Sequence, residues 1–436
     1  MTLIGKSSLA AVLLLAGPQA WSQESAEAVI DPVNGRTVEQ LVEMAMQRNG
    51  DILVTRQQVA VAQGGLVQAR QRPNPTVDVS GTQELRGPMN TFMAGASIPL
   101  ELYGRRDRRI EVAHGVIRVS ELDQTDVERR LRGDVESKFG ETLAAARNLQ
   151  FTQDLLVLNR EALRLTAARA EQDAVPSLDA DLLRVEVNRI DSSRADFEAR
   201  LGVAVLELKS LVGIRPEEDL RIKGTLEAPP TAFDQQEALN RALEKRPDLL
   251  SAREAERVAN AKLKQAQTEG RMDASLSASY QRMDSGFDLN GLTAAGQLRR
   301  IQGIFQLATI GVSITLPTRN RNEGAVAIAL AEIEAAKRRR EYAELVAARE
   351  VAAAFLQQAK AKESLDIYSR GVRDQAQQNL TVIRRVYELG RSQLLDVIAE
   401  QRRLIEIETG YTEALNRYYQ ASVRLRIVAG LDEVTP

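Results

Sequence analysis

Two kinds of periodicity share this chain. Between residues 273 and 281, Ala274, Leu276, Ala278 and Tyr280 alternate with Ser275, Ser277, Ser279 and Gln281. Between 309 and 317, Ile310, Val312, Ile314 and Leu316 alternate with small or polar residues. A period of two marks strands with one apolar and one polar face. A second pair repeats the pattern. Val77, Val79, Gly81 and Leu85 alternate with Asp78, Ser80, Thr82, Glu84 and Arg86. Beyond the turn Gly87-Pro88-Met89-Asn90, Phe92, Ala94, Ala96 and Ile98 alternate with Met93, Gly95 and Ser97. Strands are predicted at about 76–86, 91–99, 273–283 and 304–316. Phe305 and Leu307 fall on the polar side, and a β-bulge or a rim position for aromatics is the expected cause.

The remaining sequence has helical spacing. From Thr37, Leu41, Ala45 and Met46 share a face up to a break at Asn49-Gly50, and a second helix runs to about Arg72, before Pro73 and Pro75. After Gly104 no proline occurs until Pro176, which predicts a helix of roughly 70 residues and 100 Å. A return helix from Ser177 to Val212 follows. Then the plan repeats. Residues 45–53 align with 242–250, Arg56 with Arg253, Leu66 with Leu263 and Ala69 with Ala266. A second unbroken rod is expected from about Arg321 to Leu389, with Gly390 at its end and a return helix reaching Gly430. The offset between the copies grows across the second strand pair, and a longer loop from Ser285 to about Gly303 is expected there. The domain reading is a signal peptide 1–22, an extended tail 23–36, repeats 37–212 and 232–431 joined by a linker 213–231, and a tail 432–436.

Composition narrows the chemistry. Only 4% of residues are aromatic, too few for an ordinary globular core of this length, while 27% are charged and balance to net −2, which argues against a polyanionic partner. There is no cysteine and one histidine, His114, so disulfides, thiolate chemistry and multi-histidine metal sites are excluded. Basic runs at 105–109 and 337–340 sit among acidic residues with few aromatics, so no nucleic acid is expected. No nucleophile elbow, phosphate loop or metal-ligand cluster is present, so no enzyme activity and no cofactor is expected. Lys6 precedes the short apolar run 9–16, then Gly17, Pro18, Ala20 and Ser22, the pattern of a cleaved export signal. Without a following cysteine, no lipid anchor is expected. No other run approaches the ~18 apolar residues of a membrane helix.

Four such strands cannot close a barrel, and an open edge in lipid leaves backbone groups unpaired. The expected fold is therefore mainly α with a membrane β part. Three chains supplying four strands each would make a twelve-stranded barrel, continued by a periplasmic tube of helical rods. A non-conducting periplasmic coiled-coil adaptor is the alternative, but it has no use for alternating strands of lipid length.

With these elements the chain resembles the TolC-like outer-membrane efflux factors over about Thr37 to Leu431. Tyr387-Glu388-Leu389-Gly390 and Leu394-Leu395-Asp396-Val397 are similar to that family's second hairpin turn. The run Leu425 to Gly430 resembles its closing motif, matched in the first half by Leu211-Val212-Gly213. The run Leu316 to Gly324 resembles the heavy-metal branch. The resemblance implies a homotrimer embedded in outer-membrane lipid of a Gram-negative bacterium. It implies an exit channel for small solutes, metal cations or drugs, fed by an inner-membrane efflux transporter through a periplasmic adaptor; a type I protein-secretion duct is the alternative. It places the gate and the adaptor-docking turns at the rod tips. Asp396, Asp179 and Tyr387 are then gate or pore candidates, and Gly390, Asp173, Pro176 and Leu394 docking candidates. Asp173 stands where the family often has glycine.

Overall fold

The computed structural model describes residues 29–227, apart from 86 and 88, and residues 234–430. The expected signal peptide, residues 23–28 and the tail 432–436 lie outside the described residues. Helix α1 (Val38–Arg48) starts at a capping box: Gln40 N donates to Thr37 Oγ1 at 3.4 Å, and Thr37 N donates to Gln40 Oε1 at 3.0 Å. Asn49 ends α1 and caps α2 (Gly50–Arg70), its Oδ1 accepting from Asp51 N at 2.8 Å. Strands β1 (Thr76–Gln83) and β2 (Asn90–Pro99) follow, then the rod α3 (Arg105–Ala170) of 66 residues and its return α4 (Ser177–Val212). The second half contains α5 (Gln235–Lys245), α6 (Pro247–Glu269), β3 (Asp273–Leu292), β4 (Leu298–Thr315), α7 (Glu323–Ile367), α8 (Arg373–Glu388) and α9 (Leu394–Val428). The four strands form one antiparallel sheet in sequence order.

Three expectations are corrected. The second rod is not continuous, because Tyr368–Val372 form a π turn in which Gly371 has φ 108°. Helix α9 holds this kink. The Tyr368 ring lies so close to Gly410 that an added Cβ would come within 2.5 Å of Tyr368 Oη. Arg373 pairs with Glu408, and Arg373 and Arg147 both stack on the Tyr411 ring. Residues 285–303 are not a loop. β3 and β4 stay paired out to Leu292↔Leu298, with one shift between Phe287 and Asn290. Pairing is unbroken from Asp273↔Thr315 to Phe287↔Ile301, so no bulge accounts for Phe305 and Leu307. The segment 30–36 of the expected extended tail is held against the chain. Ile30 and Arg36 bridge to Ile222 in the connecting segment, and Val29 and Ile222 are both buried.

These segments gird the rods at mid-height. Val29, Leu41, Ala45, Ile52, Ile214 and Ile222 pack with Val135, Phe139 and Leu143 of α3, Leu201, Val205 and Leu208 of α4, and Leu415 and Tyr419 of α9. Rod α3 also packs along α2 and α6, and α6 along α7. Buried charges are paired across elements: Glu136 with Arg426, and Arg246 with Asp248 at 2.7 Å and Glu350 at 2.8 Å. Gly213 closes α4 at φ 75°, with Ile214 N donating to Lys209 O at 2.9 Å. A Cβ there would lie 2.7 Å from Arg48 O. Gly213→Ala is expected to cost roughly 2 kcal/mol of stability. A lowered thermal midpoint of the helical circular dichroism signal checks this.

Candidate gate and pore

The sheet is the first part of the site. On one face, paired rows read Val79–Ala94–Tyr280–Ala308 and Val77–Ala96–Ala278–Ile310, then Ile98–Leu276–Val312 and Ala274–Ile314. On the other, the rows read Asp78–Gly95–Ser279–Thr309 and Thr76–Ser97–Ser277–Gly311. In β2 and β3 the polar-row residues Gly95, Ser97, Ser277 and Ser279 are half-buried, while the apolar Ile98, Leu276 and Tyr280 are exposed. Side chains crowd on a concave surface, so this difference is the one expected of a sheet that curls with its polar face inside. Among the described residues nothing covers the apolar face, where Ile310 is 82% and Val77 72% exposed. β1 and β4 each lack a partner on their outer edge. No described helix is long and apolar enough to cross a membrane.

The far ends of the rods are the second part. Rod α3 ends with Asp173 at φ 56°, Ala174 N donating to Arg169 O at 3.0 Å. Helix α8 ends in the same way, with Gly390 at φ 70° and Arg391 N donating to Val386 O at 3.0 Å. Both turns therefore close by one left-handed residue, and Asp173 adopts it at some cost because it carries a Cβ. Pro176 precedes α4 in extended conformation. Asp396 lies in the first turn of α9, where its Oδ2 accepts from Gln393 N at 3.1 Å in a reciprocal capping box. The helix dipole favours a carboxylate there.

Folding brings two of the predicted residues into contact. Tyr387 Oη donates to Asp179 Oδ2 at 3.1 Å, joining the second hairpin to the first. Burial, then the bond to Asp179 and its charge, push the Tyr387 hydroxyl above its ordinary pKa. Leu394, expected at a docking surface, turns inward and is buried with Leu183 and Ile398. Gly390, Asp173 and Pro176 are exposed, as are Leu178, Leu389 and Leu395, which the sequence reading did not single out. It also missed Glu186. This buried carboxylate accepts from Arg189 Nη2 at 2.7 Å on its own helix and from Arg402 Nη2 at 2.8 Å on α9. Burial raises the Glu186 carboxyl, but the two guanidinium bonds outweigh it and hold the pKa below its ordinary value. The available signal was helical spacing, since Glu186 follows Asp179 and Leu183 along one face of α4. Among the described residues no group of three or more His, Cys, Asp or Glu could hold a metal ion.

Two outcomes follow from these contacts. Asp173→Gly relieves about 1 kcal/mol of left-handed strain and is expected to slow amide hydrogen exchange at 169–174. Because the folded-state pKa of Glu186 is depressed, its contribution is full above the ordinary glutamate pKa and is lost as pH falls through the folded value. The thermal midpoint of the wild type should exceed that of Glu186→Gln at neutral pH, and the gap should narrow below about pH 4.

Comparison with known proteins places this geometry. The family profile described as "Outer membrane efflux protein" matches residues 41–214 and 238–431. The cobalt-zinc-cadmium resistance protein CzcC of Cupriavidus metallidurans is 24% identical over 394 residues, covering 90% of each chain. The solved structure of CusC superposes with a TM-score of 0.73 at 19% identity, covering 90% of this chain and 92% of its own. That of VceC from Vibrio cholerae gives 0.70 at 17% identity, covering 90% and 96%. A match spanning both halves of the chain, on a fold with a curled strand sheet at one end and paired helical rods at the other, makes this protein a member of the outer membrane efflux protein family, an outer-membrane duct of an efflux pump.

Proposed function

We propose that three copies close a twelve-stranded barrel through the free edges of β1 and β4 and conduct solutes passively outward. One observation carries the reading: an apolar face with no cover, backed by a polar face that is the more crowded side in β2 and β3, and bounded by two open edges. Lipid suits the apolar face, and ring closure alone pairs the edges. The duct performs no covalent chemistry. An inner-membrane transporter supplies the drive, and a periplasmic adaptor docks on the exposed tips around Gly390, Asp173 and Pro176, with Leu178, Leu389 and Leu395 as its apolar contacts. The Tyr387–Asp179 bond and the Glu186–Arg402 pair hold the two hairpins of a chain together in the closed gate. In a trimer Asp396 and Asp179 form threefold sets of carboxylates that favour cations. Divalent metal cations are the proposed cargo. The likeness to CzcC along nearly the whole chain supports this, as does the run Leu316 to Gly324.

Protein extracted from outer membranes is expected to have the mass of three chains in detergent and to conduct in a planar bilayer. A monomer without conductance would sink the reading. Tyr387→Phe removes one hydrogen bond of about 1 kcal/mol and is expected to raise the open population roughly five-fold, seen as a larger mean conductance. Asp396→Asn keeps an acceptor for the Gln393 amide while deleting the charge, and should lower selectivity for cations over anions. Unchanged reversal potentials in a salt gradient would remove Asp396 from the pore.

A further inference from the structure

Above the lipid-facing band the two faces of the sheet exchange character. Up to the row Val79–Ala94–Tyr280–Ala308 the convex face is apolar. Beyond it, that face becomes mixed: Arg282 stands between Phe92 and Gln306, Asp284 opposite Ile304 and Gly286 opposite Gln302, with Arg282 Nε 3.5 Å from Asp284 Oδ1. The concave face changes in the opposite sense, from Ser277 and Ser279 to rows in which Met93 and Leu307 flank Gln281, and Met283 lies between Thr91 and Phe305, with Ile301 beyond them. The pairing is continuous through this region, so the inversion lies in the residues and not in a slipped register. Phe305 leans outward along the strand over Gly303, where an added Cβ would lie 3.2 Å from its ring, and Ile301 covers Gly291 in the same way at 3.3 Å.

We propose that the β3–β4 ribbon beyond Asp284 is an outer lid, and that the three ribbons of a trimer bend inward and meet over the barrel mouth. This rests on the trimeric duct described above. The ribbon stands alone, because β2 pairs with β3 only as far as Asn90↔Asp284. A lone two-stranded ribbon is marginal in water; Ile301 on the ribbon is nearly half exposed within one chain, as are Phe305 and Leu307 on β4 just below it. Copies of the same face are the cover that symmetry provides. The reach is sufficient. From Gly303 to Leu298 along β4 the ribbon extends roughly 17 Å, against a radius of about 12 Å for twelve strands spaced 4.8 Å and tilted 40°. The means of bending is present. The register shift between Phe287 and Asn290 bends a strand pair inward or outward, and Gly286 and Gly303 lie at the ribbon base. β4 is also the edge that meets the next copy in the ring, so the contact continues that interface. The lid makes a second barrier in series with the periplasmic gate and excludes external solutes from the resting duct.

The absence of native cysteine permits a direct test. Ile301→Cys, on the inward side, and Ile304→Cys, on the outward side, are each oxidised in outer-membrane vesicles. A disulfide-linked dimer at 301 and none at 304 is the expected result. Replacing residues 286–302 by a tight turn in the Tyr387→Phe background should then at least roughly double the conductance, since the inner barrier is already loosened. If a species of three chains persists but 301 does not link, or the shortened ribbon leaves conductance unchanged, the lid is refuted and the duct stands. If no trimer is found, the barrel itself fails and the lid with it.

Discussion

Unpaired backbone at the two edges of a curled sheet is the constraint from which the rest follows. Each N–H and C=O left open in hydrocarbon costs several kcal/mol, and the apolar face of β1–β4 has no cover within the described chain. A single chain cannot remove either cost. Copies arranged in a ring remove both, because the edges pair and the apolar face turns to lipid. The polar concave face then becomes a wet interior. Length follows from position: rods of the span of α3 carry the conduit away from the membrane, and they bury little apiece because each is exposed on one side until neighbours join it.

Within a chain, the strength of packing is uneven along the rods. At mid-height the N-terminal segment, the connecting segment, α1, α3, α4 and α9 share one apolar core with the buried Glu136–Arg426 pair beside it. At the tips the two hairpins meet through Leu183 with Leu394 and Ile398, Tyr387 of α8 with Asp179, and Glu186 with Arg402, with Ile405 of α9 packed beside Val187 and Ile190. A contact made of so few polar bonds is cheap to open relative to the girdle above it. The kink at Gly371 adds an asymmetry, because the first hairpin has an unbroken outer rod and the second does not.

The two halves share a plan without sharing its details. Their rods end in the same left-handed closure, filled by Gly390 in one and Asp173 in the other. Their strand pairs share a lipid-facing pattern, but only the second continues past it, and there its apolar and polar sides change places. Such differences break the repeat where function differs, at the tip and at the outer mouth.

The sequence by itself determined the kinds of element and their order. A period of two or of 3.6 is written in residues a few positions apart, and proline and glycine mark the breaks, so the strands, the long rod α3 and the turns at Gly390 and Pro176 were legible. The tertiary structure decided what depends on partners far away in the chain. The sequence pattern predicted an unbroken second rod across Gly371, and the structure has a kink there with Tyr368 and Arg373 packed on α9. Residues 285–303 read as a loop from the growing offset between the two copies, yet cross-strand pairing holds most of them as strands. Leu394 and Leu389 are alike as letters, but the fold buries one and exposes the other. Glu186 and Arg402 stand more than two hundred positions apart and meet only when two hairpins lie side by side. Local pattern is set by neighbours along the backbone; burial and pairing are set by neighbours in space.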